Sequence, residues 1–244
     1  MNSTFSRRLV AEFTGTGLLV AIVVGSGIAA THLTTDPALR LLINSLVTAM
    51  GLAVLILLFM PAGGAQFNPV VTAADWLLGR NTEHRYGVGQ AVVVIVSQIA
   101  GAIAGAALAD AMFRQAVLTP SHKHRTGAPL LLGEVVATAG LLLVIVALAR
   151  TSRLQHAAWA VGAWIGAAYW FTSSTSFANP AVTVGRSLTD TYAGIAPSSV
   201  ALFIAAQIVG GALGTLLAVF VYPLHRTRGG ADSMSDLASS TQRA

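Results

Sequence analysis

Six long apolar blocks decide what this chain can fold into. Residues 9–30, 39–60, 87–112, 129–149, 156–174 and 198–222 are each about long enough to cross ~30 Å of hydrocarbon as a helix. A water-soluble fold needs polar faces to cover its core, and six such blocks leave too few. Composition agrees, since 55% of the residues are hydrophobic and only 9% are charged. A soluble domain is nearer a quarter charged. The expectation is an all-α, multi-pass membrane protein whose solvent is the lipid bilayer. The first block is too long for a signal-peptide core and leads to no clear cleavage site, so it reads as a span.

The absence of cysteine excludes disulfides, thiol catalysis and thiolate-bound metals. A net charge of +5 does not point to nucleic acid, because the basic residues stand in short connections between spans. There they act as orientation signals. With six spans both termini share one side. That side carries Arg7, Arg8, Arg80, Arg85, Arg150, Arg153, Arg226, Arg228 and Arg243. The other carries Arg40, Arg114, Lys123, Arg125 and Arg186, so the count places the termini in the cytoplasm. The cluster "SHKHR" at 121–125 pulls the other way. Short termini and an Ala- and Arg-rich composition fit a bacterial cytoplasmic membrane.

The chain is written twice. Glu12 lies inside the first span and Glu134 inside the fourth. Asn-Pro follows the second span at Asn68 and the fifth at Asn179. Gln98 and Gln207 precede small residues in the third and sixth spans, in the same order. The halves run from roughly 1–120 and 125–244, and three spans per half force the second to insert upside down. That is an inverted repeat, as in many transport proteins. The segments after each Asn-Pro, "NPVVTAADWLLG" and "NPAVTVGRSLTD", offer about three helical turns, or half a bilayer. Asn suits the N-cap and Pro the first helical position. Non-helical backbone leading into them is tolerable at membrane depth only where protein buries it or water lines it. Two half-helices meeting N-terminus to N-terminus make a pore. Glu12 and Glu134 are then expected to accept hydrogen bonds from the exposed amides of the re-entrant loops, in preference to relaying protons.

These residues resemble the aquaporin, or major intrinsic protein, family, through "AEFTGTG", "GGAQFNPVVT", "SQIAGAIAG", "GEVVATAG", "FANPAVT" and "AQIVGGALG". The resemblance implies six transmembrane helices plus two re-entrant half-helices, a homotetramer with one pore per protomer, and no cofactor, bound metal or catalysis. It implies that Asn68 and Asn179 donate to the permeating molecule at the pore centre. Small residues at 101–105 and 210–214 fit close helix packing. Val70 departs from the family, where alanine is usual.

The larger departure lies at the outer checkpoint. Carried over from the family, its four positions are Thr48, Ala167, Ser176 and Val182, and Val182 stands where an arginine is normal. None of the four is aromatic or charged. Without the guanidinium the constriction is expected to widen and to lose a forked donor and a fixed positive charge. That suits neutral solutes larger than water, such as glycerol-like polyols, urea, undissociated arsenous acid and methylated arsenicals. A water channel and a channel leaky to ions or protons are the rival readings. Arg186, four residues beyond Val182, and its repeat mate Asp75 are candidates for the outer and inner vestibules, with capping or loop pairing as the plainer reading. His122 and His124 read as part of a solvated basic loop. Trp159, Trp164, Tyr169 and Trp170 read as packing or interface anchors.

Overall fold

A computed structural model describes residues 3–79 and 87–223. Arg80, Arg85, Arg226, Arg228 and Arg243 of the charge count lie outside the described residues. The described chain is helical: α1 (Ser3–Leu33), α2 (Pro37–Gly63), α3 (Pro69–Leu78), α4 (Val88–Met112), α5 (Ala128–Arg150), α6 (Ala157–Phe171), α7 (Pro180–Arg186) and α8 (Pro197–Val221). α1, α2, α4, α5 and α8 are each long and apolar enough to cross a membrane.

The fifth block differs from its expected form. Its helix α6 has 15 residues, or roughly 22 Å at helical rise. A 3-10 turn, Leu154–His156, extends it at one end. At the other end Thr172 turns extended, and its hydroxyl bonds back to the Ala168 carbonyl. The run "TSSTS" that follows offers the backbone side-chain partners in place of helix. The chain thus leaves helix before 174 and becomes a re-entrant loop.

Local chemistry sets the other boundaries. Asp36 accepts from the amides of Ala38 and Leu39 and caps α2, with Pro37 at its first turn. Gly64, at φ 90°, ends that helix in the left-handed region where glycine is favoured. α3 and α7 begin at Asn68 and Asn179, each followed by Pro.

Packing is organised in matched pairs. α1 lies against α4 and α2, while α5 lies against α8 and α6; α2 and α6 join the two groups. α7 crosses to α4, and α3 to α8, so each half-helix is held by a span from the opposite half. Both tight crossings depend on glycine. A methyl group at Gly101 would sit 2.2 Å from the Phe13 carbonyl oxygen, and one at Gly105 2.0 Å from that of Gly17. At the mirrored crossing, Gly210 and Gly214 meet the Val135 and Ala139 carbonyls at 2.3 and 2.0 Å. Backbones this close gain packing that lipid cannot supply. The outer faces carry exposed Leu202, Leu213, Leu216 and Phe220 on α8 and Leu46, Val54 and Leu58 on α2, as a lipid-facing surface requires.

Candidate solute pathway

The two re-entrant loops are built alike. Residues three and one before each Asn adopt positive φ without being glycine: Ala65 (48°) and Phe67 (51°) before Asn68, Ser176 (51°) and Ala178 (48°) before Asn179. Such backbone is costly and persists only where its surroundings hold it. Here a buried carboxylate holds each loop. Glu12 accepts from the amides of Gln66 (2.9 Å) and Phe67 (2.7 Å), and Glu134 from those of Phe177 (2.9 Å) and Ala178 (2.8 Å). Gln98 donates to Glu12 and to Thr72, while Gln207 donates to Glu134 and to Thr183. Thr72 and Thr183 each stand four residues after their Asn, so one network ties span, loop and half-helix together.

The asparagines meet at the centre. Asn68 Oδ1 accepts from the Val70 amide; Asn179 Oδ1 accepts from the amides of Ala181 and Val182. Each caps its own half-helix, which turns its amide nitrogen outward. Asn68 Nδ2 donates to the Ala178 carbonyl at 2.8 Å, and Asn179 Nδ2 to the Phe67 carbonyl at 2.7 Å. A carboxamide has two N–H donors, and both residues line a common cavity.

That cavity encloses about 1120 Å³. It begins among Phe5, Arg8, Gln90 and Arg150, passes Asn68 and Asn179, and ends against Thr48, Tyr169, Ser176, Phe177, Val182 and Arg186. At its inner end Arg8 donates to Gln66, whose amide donates to Asp75 at 2.8 Å. Asp75 lines this inner part, and Arg186 lines the outer end, where it is 2% exposed. Arg186 is also tied to a loop, since its Nε donates to the Ala193 carbonyl.

Three of the four checkpoint positions, Thr48, Ser176 and Val182, line the outer end of the cavity. Ala167 does not: it is exposed on the opposite side of α6. The residues of α6 on the cavity wall are Ala157, Val161, Ile165 and Tyr169, spaced four apart on one face. Tyr169 therefore replaces Ala167 there, and its hydroxyl donates to Thr48 Oγ1 at 3.3 Å. The wall is not free of aromatic or charged groups, as the four carried-over positions implied. It holds Tyr169, Phe177 and Arg186. Phe177 was recoverable from sequence as the neighbour of Ser176, and Tyr169 only with the helix phase known. Trp164 packs into α5, its indole N–H on the Ala137 carbonyl, while Trp159 and Trp170 face outward.

The loop at 121–125 folds over the outer end. His122 bonds Asp190 through its backbone amide and its ring, and these bonds hold the Asp190 carboxyl below the usual carboxylate range. His124 meets Ser198, so the two histidines have separate partners. Lys123 Nζ donates to the Tyr192 carbonyl, and Arg125 Nε to that of Gly194. Loss of water, then the nearby Arg125 and Arg186, lowers the Lys123 ammonium to about 8.

The sequence profile described as Major intrinsic protein matches residues 1–173. The chain belongs to the major intrinsic protein family. It is 48% identical over 205 residues to aquaglyceroporin AqpS of Rhizobium meliloti, covering 84% of this chain and 85% of that one. It is 34% identical over 111 residues to the glycerol uptake facilitator protein of Escherichia coli, covering 46% of this chain and 37% of the other. Among solved structures, the aquaglyceroporin of Plasmodium falciparum superposes with a TM-score of 0.64 over 87% of this chain and 95% of that one, at 18% identity. The fold is thus that of the family: a multi-pass helical membrane channel with two half-helices, and not an enzyme.

Proposed function

We propose that the chain is a passive channel for small uncharged solutes: glycerol-like polyols, urea, undissociated metalloid acids such as arsenous acid, and methylated arsenicals. The observation that carries the reading is Val182, a small apolar residue on the wall of a cavity that runs past both asparagines to meet it. Where an arginine would narrow the path, valine leaves room, and the hydroxyls of Thr48 and Tyr169 remain for polar solutes. The relatives named aquaglyceroporin and glycerol facilitator support the same substrate class. In this reading Asn68 and Asn179 orient the solute at mid-pore, Glu12 and Glu134 hold the loops that present it, and Asp75 belongs to the inner vestibule. The repeat halves, cytoplasmic termini, a cell-membrane location and a homotetrameric assembly complete the proposal.

Reconstituted liposomes provide the test, with glycerol, urea and arsenite entry compared with empty vesicles. Entry no faster than in empty vesicles sinks the reading. Val182→Arg sharpens it: glycerol and arsenical entry is expected to fall by roughly tenfold or more, equivalent to ~1.4 kcal/mol of barrier, while water passage persists. Unchanged glycerol entry would place the constriction elsewhere.

A further inference from the structure

We infer that Arg186 is the charge-excluding and size-limiting residue of the pathway, one helical turn outward from the place where the family's arginine is missing. The inference rests on the channel reading above. Arg186 follows Val182 by four residues on α7, so it shares that wall about 6 Å further out. Its guanidinium carbon lies 3.4 Å from the centroid of the Phe177 ring. Phe177 is itself held edge-on by Phe203, at 5.2 Å between centroids. With Nε fixed on the Ala193 carbonyl, the guanidinium has a rigid backing and one bonded edge.

The other edge has no protein partner. Among the described residues neither Nη nitrogen has a protein acceptor, and no carboxylate pairs with Arg186. A buried, unpaired charge in a membrane protein is costly and is kept where it faces a polar path. Arg186 lines the outer end of the cavity. Ser176 lines the same end, and its hydroxyl is buried without a hydrogen-bond partner. Forked donors and the Tyr169 and Phe177 rings thus line one end of the cavity. They fit a neutral solute that offers oxygen acceptors to the guanidinium and hydroxyls to the wall. Arg125, whose guanidinium lies 4.9 Å from the Phe177 centroid, adds charge of the same sign. Cations and hydronium meet a fixed positive barrier even though Val182 is neutral.

The plainer role for Arg186 is a pin for the loop at Ala193, and proton leak separates the two. Full-length protein in liposomes is assayed for glycerol entry by light scattering and for proton entry by an enclosed pH dye under a potassium diffusion potential. Wild type is expected to pass glycerol and to stay proton-tight. Arg186→Gln is expected to raise proton entry by at least about tenfold, a ratio corresponding to ~1.4 kcal/mol, with glycerol entry largely kept. Arg186→Lys, which retains the charge, is expected to stay tight but to discriminate less between glycerol and erythritol. An Arg186→Gln protein as proton-tight as wild type, with the same solute ranking, overturns the inference and leaves the pin. Should that variant fail to reconstitute, Phe177→Leu removes the backing and leaves α7 intact; erythritol entry is expected to rise, and an unchanged size cut-off overturns the inference. Absence of glycerol entry in wild type overturns the channel reading instead.

Discussion

Val70 and Gly211 form one packing unit across two helices. Valine replaces the family's usual alanine beside the pore centre, and a methyl group at Gly211 would sit 2.2 Å from Val70 Cγ1. The bulk gained on α3 is matched by bulk absent from α8. Gly211→Ala is therefore expected to destabilise by about 1–3 kcal/mol, the usual cost of overpacking, and Val70→Ala in the same chain to recover most of it. Thermal unfolding of both single variants and the double variant in detergent measures the coupling; strict additivity would mean the two residues do not share the space. Lys123 gives a second test at this scale. Its folded pKa of about 8 lies below the ordinary value of 10.5, so the unfolded chain binds more protons between the two. The charged form is a cost to folding below pH 8, and stability rises with pH from there toward 10.5. Amine-reactive labelling of Lys123, followed by mass spectrometry, is expected to reach half its limiting rate near pH 8, and a midpoint near 10 would count against the shift. Individual residues were also where the sequence misled. Counting twelve back from Asn179 selects Ala167, but the count crosses 172–179, where the chain is not helical and helix phase is lost. The stripe Val161, Ile165, Tyr169 was visible as a four-residue spacing; which stripe faces the pore was not.

At the scale of elements, the half-helices were legible because their start signals are local. Asn as cap and Pro at the first turn need no tertiary context, and both α3 and α7 begin there. The glycines of α4 and α8 were legible as small residues at equivalent places in the repeat. The early end of α6 was not, because Thr and Ser are compatible with a helix in a membrane span, and only the structure shows the Thr172 and Ser173 hydroxyls turning to backbone carbonyls. The loops between these elements stand on the carboxylates. Glutamine in place of Glu12 or Glu134 keeps the shape but offers one acceptor oxygen where two are used, and its amide group would face a backbone N–H. Hydrogen bonds to a charged acceptor contribute about 1.5–3 kcal/mol each, so Glu12→Gln and Glu134→Gln are each expected to lower the unfolding midpoint and to stop glycerol entry. Because each carboxylate accepts from two loop amides and one glutamine, the two losses should be similar. A silent variant at either site would show that the strained residues beside its Asn are held by something else.

For the whole molecule, the charge count of the described residues and the expected orientation differ, and the fold offers a reason. Within the described residues the side of the termini carries Arg7, Arg8, Arg150 and Arg153, and the opposite side Arg40, Arg114, Lys123, Arg125 and Arg186. A bare count there does not favour cytoplasmic termini. Three of the outer cations, however, are folded into the mouth: Lys123 on the Tyr192 carbonyl, Arg125 on that of Gly194 and Arg186 on that of Ala193, with both arginines over Phe177. Cations held by the fold for use at the mouth are poor reporters of insertion, whereas Arg150 and Arg153, at the end of α5 and just beyond it, are of the kind that orients a span. The expectation is cytoplasmic termini with the loop at 121–127 outside. The absence of cysteine makes this directly measurable, since each introduced thiol is the only one. Thr126 and Gln155 are both exposed, at opposite ends of α5. A membrane-impermeant maleimide added to intact cells is expected to label Thr126→Cys at once and Gln155→Cys only after permeabilisation. The reverse pattern would place the Arg186 mouth in the cytoplasm, so that solutes entering the cell would meet the Arg8 and Asp75 end of the cavity first.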